Sequence, residues 1–150
     1  MSGALLLEDL GPAGMAGLRA ALSSEGLPHE DIDAEDCRFY RARLDDTVAG
    51  YVGLQGNGIH RLLRSMWVQP ERRREGMGAA LLDAIEYRAA AEGCRTLHLL
   101  TTTANAFFTR HGFRPAERND APASIASTRE FAALCPASAT YLTKRIANPS

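Results

Sequence analysis

Between residues 62 and 85 the chain passes through a strand pattern, a proline break, two closely spaced glycines and a helix pattern. The strand reads Leu62-Leu63-Arg64-Ser65-Met66-Trp67-Val68, and Gln69-Pro70 interrupts it. Arg73-Arg74-Glu75-Gly76-Met77-Gly78 then leads into Ala79-Ala80-Leu81-Leu82-Asp83-Ala84-Ile85, an apolar helix start. A strand, a glycine turn and a helix together make an anion cradle. Glycine lets the backbone come close, and the unpaired N–H groups of the first helical turn point outward at a phosphate. Three consecutive arginines, Arg72 to Arg74, add positive charge at the positive end of the helix dipole.

Spacing decides which phosphate ligand is meant. A nucleotide P-loop needs Lys-Ser or Lys-Thr after its last glycine, and neither follows Gly78. A dinucleotide fingerprint needs a third small residue where Leu81 stands, and an acidic residue on a following strand about 20 residues on. What remains is Arg-x-x-Gly-x-Gly, for which a plain helix cap is the bland alternative.

Around this unit the chain alternates strand and helix signals. Ala4 to Glu8 reads as a first strand, and Gly11-Pro12 opens a helix to about Ser24 with Met15, Leu18 and Leu22 on one stripe. Asp31 to Asp36 reads as an acidic loop. Cys37 to Leu44 and Thr47 to Leu54 form a hairpin around Asp45-Asp46, and Ile59 to Val68 is a long central strand. The glycine-started helix runs from Gly76 to about Glu92 and is capped by Gly93. Arg95 to Thr101 is an apolar strand, Ala104 to His111 a short helix, and Tyr141 to Ile146 a closing strand. Pro122 opens a last helix whose Ile125, Phe131 and Leu134 face inward, ended by Cys135-Pro136. Antiparallel strands followed by strand-helix-strand predict an α/β mixed sheet in one domain spanning residues 1–150.

Composition narrows the function classes. A net charge of -1 gives no bulk field for nucleic acid or acidic membranes. The longest apolar runs are too short to span a bilayer. Cys37, Cys94 and Cys135 are odd in number and widely spaced, so neither a metal site nor a disulfide framework is expected, and reduced thiols in a cytoplasmic protein are.

The glycine unit and its flanks resemble the GNAT N-acetyltransferases. Leu63 to Glu71 looks like the fourth strand of that family, and Phe107-Phe108-Thr109-Arg110-His111-Gly112-Phe113 looks like its Phe-Tyr-x-x-x-Gly-Phe exit. The resemblance implies a GNAT fold: a mixed central sheet of about seven strands flanked by helices, splayed in a V between strands four and five. It also implies acetyl-CoA as cofactor. Met66, Trp67 and Val68 would carry the pantetheine and thioester, with the Val68 amide polarising the carbonyl. Arg73, Arg74, Glu75, Gly76, Met77, Gly78 and Ala79 would hold the pyrophosphate. Thr101, in the place of an asparagine that often contacts the pantetheine in the family, would lie along that arm, and Phe107 and Phe108 at the thiol end.

Departures from the family pattern bear on the chemistry. Phe108 stands where the family often has an acidic tyrosine, and Leu62 where many members carry a carboxylate. The catalytic candidates are therefore His60, sharing a strand face with Leu62 and Arg64, and Ser65, beside the acetyl site. An exposed structural histidine is the other reading of His60. Arg64 is a candidate for a substrate oxyanion, its alternative being an ion pair with Glu8 or Glu71, and Arg129 and Glu130 are further pocket candidates whose alternative is a solvated helix surface.

The tail, with Phe131-x-x-Leu134-Cys135-Pro136-x-Ser138, resembles the arsenic-resistance N-acetyltransferases of bacterial arsenic operons. That implies a small-molecule amine as partner, an amino acid or a glutamate-like toxic analogue, with the last helix over the acceptor pocket. Two other readings stay open: an acyl-CoA-binding sensor with little turnover, and a protein or peptide N-acetyltransferase. A monomer or a homodimer fits equally.

Overall fold

A computed structural model describes residues 5–34, 36–73, 76–134 and 138–146, with the backbone alone at Leu134. Seven strands form one sheet: β1 (Leu5–Asp9), β2 (Cys37–Leu44), β3 (Thr47–Gln55), β4 (His60–Val68), β5 (Thr96–Thr101), β6 (Arg114–Pro115) and β7 (Thr140–Arg145). The helices are α1 (Met15–Ser24), α2 (Met77–Ala91), α3 (Asn105–Arg110) and α4 (Ala123–Ala126). Strand order is β1-β2-β3-β4-β5-β7-β6, antiparallel throughout except for β4 beside β5. The expected first helix is shorter than its sequence pattern, because Pro12–Gly14 forms a tight 3-10 turn before α1 begins.

Alternation along the strands divides the core between the two sheet faces. Tyr40, Val52, Leu54 and Leu63 pack with Leu81, Leu82, Ile85 and Ala89 of α2, together with Phe108 and Phe113. Their neighbours Phe39 and Tyr51 face the other way, onto Leu18 and Leu22 of α1 and onto Ile32. On that second face Leu62 meets Ile125, Phe131 and Tyr141. The C-terminus of α2 closes as a Schellman motif: Gly93 at φ 95° donates to the Ala90 carbonyl and Cys94 to that of Ala89.

The last predicted helix is broken in two. α4 ends at Ala126 with Ser127 as its C-cap, and a π-turn spans Glu130–Leu134. Thr128 causes the break, since its hydroxyl donates to the Ile125 carbonyl at 2.8 Å and accepts the Phe131 amide at 3.3 Å. A buried threonine that captures local backbone groups competes with helix continuation. Cys135 and Pro136, the expected stop, lie outside the described residues, as does the side chain of Leu134.

Candidate active site

The site begins where the parallel pairing stops. β4 and β5 are in register only at His60–Thr96, Arg61–Leu97 and Leu62–His98. Beyond that, β5 continues against β7 alone as far as Thr101. Ser65 drives the separation from the other side. Between the pairs Tyr51–Trp67 and Gly53–Arg64, Val52 of β3 opposes both Ser65 and Met66, and Ser65 sits at φ 59°. Such a bulge bends its strand and raises its twist. The opening leaves a cavity of about 600 Å³, walled by Leu63 to Val68 of β4, Leu99 to Thr101 of β5 and Thr102 to Ala104 beyond it, Phe107 and Phe108 of α3, and Glu25 to Pro28 after α1.

Backbone polarity inside the opening follows from the same ladder. The Gln69 amide donates to Ala49 of β3 at 2.8 Å. Successive amides of a strand point to opposite sides, so the Val68 N–H is directed away from β3, toward the split. Gly50 makes this close pairing possible, since a Cβ there would lie 2.3 Å from the Trp67 carbonyl oxygen.

At the other end lies the start of α2. Gly76 adopts φ 75°, a left-handed conformation that suits glycine, and Ala80 is the first residue to donate back to it, at 3.1 Å. The amides of Met77, Gly78 and Ala79 precede that first bond. Gly78 borders the cavity, where an added Cβ would lie 3.3 Å from the Phe107 ring. Arg73 binds the Val68 carbonyl through Nε at 2.9 Å and pairs with Glu25 at 3.2 Å, tying the loop to the ends of β4 and α1. Arg74 and Glu75 lie outside the described residues. An open strand edge, a left-handed glycine and a short-side-chain helix start form a cradle that fits a pantetheine arm and its pyrophosphate.

The opposite wall holds a buried ionic cluster. Asp31 grips Arg64 with both oxygens, at 2.7 Å to one terminal nitrogen and 2.6 Å to the other. Gln55 accepts a further bond from Arg64 at 3.1 Å, and the Ser65 hydroxyl one from Nε at 3.2 Å. Glu130 approaches the same guanidinium only to 3.5 Å. Burial alone would raise Asp31, but the Arg64 hydrogen bonds and charge outweigh it and hold the carboxyl below its usual range. Glu130 goes the other way: burial pushes it up to about 7, against the pull of Arg64 and with the push of Asp31. Both Arg64 and Glu130 line the cavity.

These contacts revise several sequence expectations. Arg64 pairs with neither Glu8 nor Glu71. Glu8 is held by Arg41 at 2.8 Å, and the partners of Arg64 are Asp31 and Glu130. With its fork filled by Asp31, Arg64 has no free bidentate edge for a substrate oxyanion. Asp31, read as part of an acidic loop, is buried, at 6% exposure. Arg129 is exposed and not part of the cavity wall. His60 is also outside that wall, and its Nδ1 lies 2.9 Å from Nε2 of His98. His98 in turn meets the Tyr141 hydroxyl at 2.7 Å, and burial followed by the charge of His60 lowers it to about 4. Met66, Trp67, Val68, Thr101, Phe107 and Phe108 do line the cavity. Thr101 uses its hydroxyl to accept the Ala104 amide at 2.9 Å, shaping the turn into α3. Phe108 packs edge-on against Phe113 at 5.4 Å.

A mixed sheet split between two parallel strands, with a glycine-started helix at the mouth of the split, defines an acyl-CoA-type transferase architecture. The chain belongs to the acetyltransferase (GNAT) domain family, whose model matches residues 35–115. Over 69 residues it is 43% identical to the amino-acid acetyltransferase of Pseudomonas fluorescens (strain Pf0-1), covering 46% of this chain and 16% of that protein. The chain thus spans only a small part of the curated relatives it matches. In fold it resembles the N-acetylglutamate synthase of Neisseria gonorrhoeae complexed with coenzyme A and L-arginine, at TM-score 0.78 and 19% identity, over 96% of this chain and 34% of that one. It also resembles the ribosomal-protein-S18-alanine N-acetyltransferase of Escherichia coli, at TM-score 0.72 and 18% identity, over 97% and 96% of the two chains.

Proposed function

We propose that this domain transfers the acetyl group of acetyl-CoA to the amine of a small molecule, an amino acid or a glutamate-like toxic analogue of the arsenic-resistance type. The observation that carries the reading is the cavity of about 600 Å³ between the diverging ends of β4 and β5, with Gly78 in its wall and the left-handed Gly76 at the start of the adjoining helix. The amino-acid acetyltransferase relatives support an amino-acid acceptor. The arsenic assignment rests on the tail run from Phe131 to Ser138.

Acetyl-CoA supplies an activated thioester. The remaining work falls to this chain. The first-turn amides of α2, with Arg73 beside them, bind the pyrophosphate. The Val68 N–H polarises the thioester carbonyl. Phe107, Phe108 and Leu99 exclude water, and the walls align the amine with the carbonyl. Phe108 has no proton to give, so the leaving sulfur receives none from that position.

Thiol release from acetyl-CoA, followed across glutamate, other free amino acids, a glutamate-like phosphinate or arsinate and a lysine peptide, tests the reading. Turnover on the free amino acids or analogues is the expected result. Turnover confined to the peptide would redirect the assignment to a protein acetyltransferase. Tight binding with no release would make the domain a sensor.

A further inference from the structure

Glu130 is the one carboxylate in the cavity wall that the fold leaves without a close partner among the described residues. Its side chain is 5% exposed, and its only ionic contact is Arg64 at 3.5 Å. Arg64 is itself neutralised by the bidentate Asp31. The cluster therefore sums to one cation against two carboxylates, and the surplus negative charge faces the cavity where an acceptor would enter. A buried anion that lacks a short hydrogen bond keeps a high affinity for a proton or a cation.

From this placement we infer that Glu130 is the base that receives the acceptor's ammonium proton, a role the fourth strand leaves vacant at Leu62. The inference rests on the acetyltransferase reading above. A proton passes from the acceptor R–NH3+ to a Glu130 carboxylate oxygen. The lone pair so exposed forms the C–N bond to the acetyl carbon as the C–S bond breaks. The second nitrogen proton ends on the departing sulfur, and Glu130 returns its own proton to solvent when product leaves. The wall thus favours acceptors that arrive as ammonium ions. The charged groups that set the behaviour of Glu130 are Arg64 from β4 and Asp31 from the α1–β2 loop, with Arg129 acting on Asp31 and the Cys37 thiol touching Arg64 at 3.9 Å.

The test compares wild type with Glu130→Gln, which keeps the shape, and with Glu130→Asp. In wild type, thiol release should show an acid limb near pH 7. In Glu130→Gln the limb should vanish and kcat should fall by about 100-fold or more, with partial rescue in Glu130→Asp. Acetyl-CoA binding by calorimetry should be unchanged in both. Difference infrared spectra of wild type against Glu130→Gln should show one protonated carboxyl that ionises near pH 7, whatever amine is present. A Glu130→Gln protein that keeps the wild-type rate and acid limb overturns the inference, as does a Glu130 fully ionised at pH 5. Wild type that binds no acetyl-CoA overturns the acetyltransferase reading itself. Wild type that binds it but acetylates no amine overturns the base assignment.

Discussion

Asp31 and Arg64 form a two-pronged ion pair, with oxygens at 2.6 and 2.7 Å from the two terminal guanidinium nitrogens and both side chains almost wholly buried. It joins the loop after α1 to the centre of β4, where Arg64 lines the cavity beside Glu130 at 3.5 Å.

Breaking that pair from one side strands a buried charge. Arg64→Met leaves Asp31 and Glu130 unpaired and should cost about 3–5 kcal/mol in urea unfolding at pH 7. The sign with pH follows from Asp31. Its folded value lies below the ordinary 3.8, so its contribution is present above that value and is lost as pH falls through the lower folded one. Acid unfolding of wild type should steepen below pH 4, and Asp31→Asn should lose that component.

Glu130 contributes with the opposite sign. Its carboxyl is raised from 4.5 to about 7, so the folded state holds more protons than the unfolded one in that window, and stability falls as pH rises through it. Glu130→Gln should therefore be more stable than wild type above pH 7, by about 3 kcal/mol. The difference should disappear near pH 4.5. Thermal melts of both proteins across this range check it.

Gly78→Val places branched carbons against Phe107, whose ring lies 3.3 Å from the glycine's missing Cβ. The ring is pushed into the cavity and the helix start is crowded. Acetyl-CoA affinity measured by calorimetry should fall at least tenfold, about 1.4 kcal/mol, while circular dichroism remains that of a folded domain.

The His60–His98–Tyr141 chain supports the β4–β5–β7 junction and lies outside the cavity wall. His98 is lowered from 6.5 to about 4, so the unfolded state binds more protons between those values and stability drops as pH falls through them. Tyr141→Phe should cost about 1 kcal/mol in urea unfolding at pH 7. His60→Ala should leave the pH–rate profile unchanged, and a lost limb near neutrality would return His60 to the catalytic candidates.

Neighbours along the chain are enough to specify several elements of this protein. The hairpin around Asp45-Asp46, the run from β4 into α2 and the Gly93 stop are written in alternation, helical periodicity and glycine position, which act over a few residues. The family resemblance came from the same stretch, because its motifs are contiguous. The wall of the cavity, by contrast, is assembled by contacts between distant segments. Asp31 and Arg64 lie 33 residues apart, and Glu130 comes from the tail beyond β6. As isolated letters Arg64 and Glu130 read as separate pocket candidates and Asp31 as part of an acidic loop, with nothing to show that the three meet. Only packing of the α1 loop, β4 and the π-turn removes water from all three, and desolvation then forces one carboxylate to pair and leaves the other reaching for a proton. The tail shows the same limit in its backbone. Its apolar spacing reads as one helix, and the turn at Thr128 divides it so that Phe131 packs on Tyr141 while Glu130 faces the cavity.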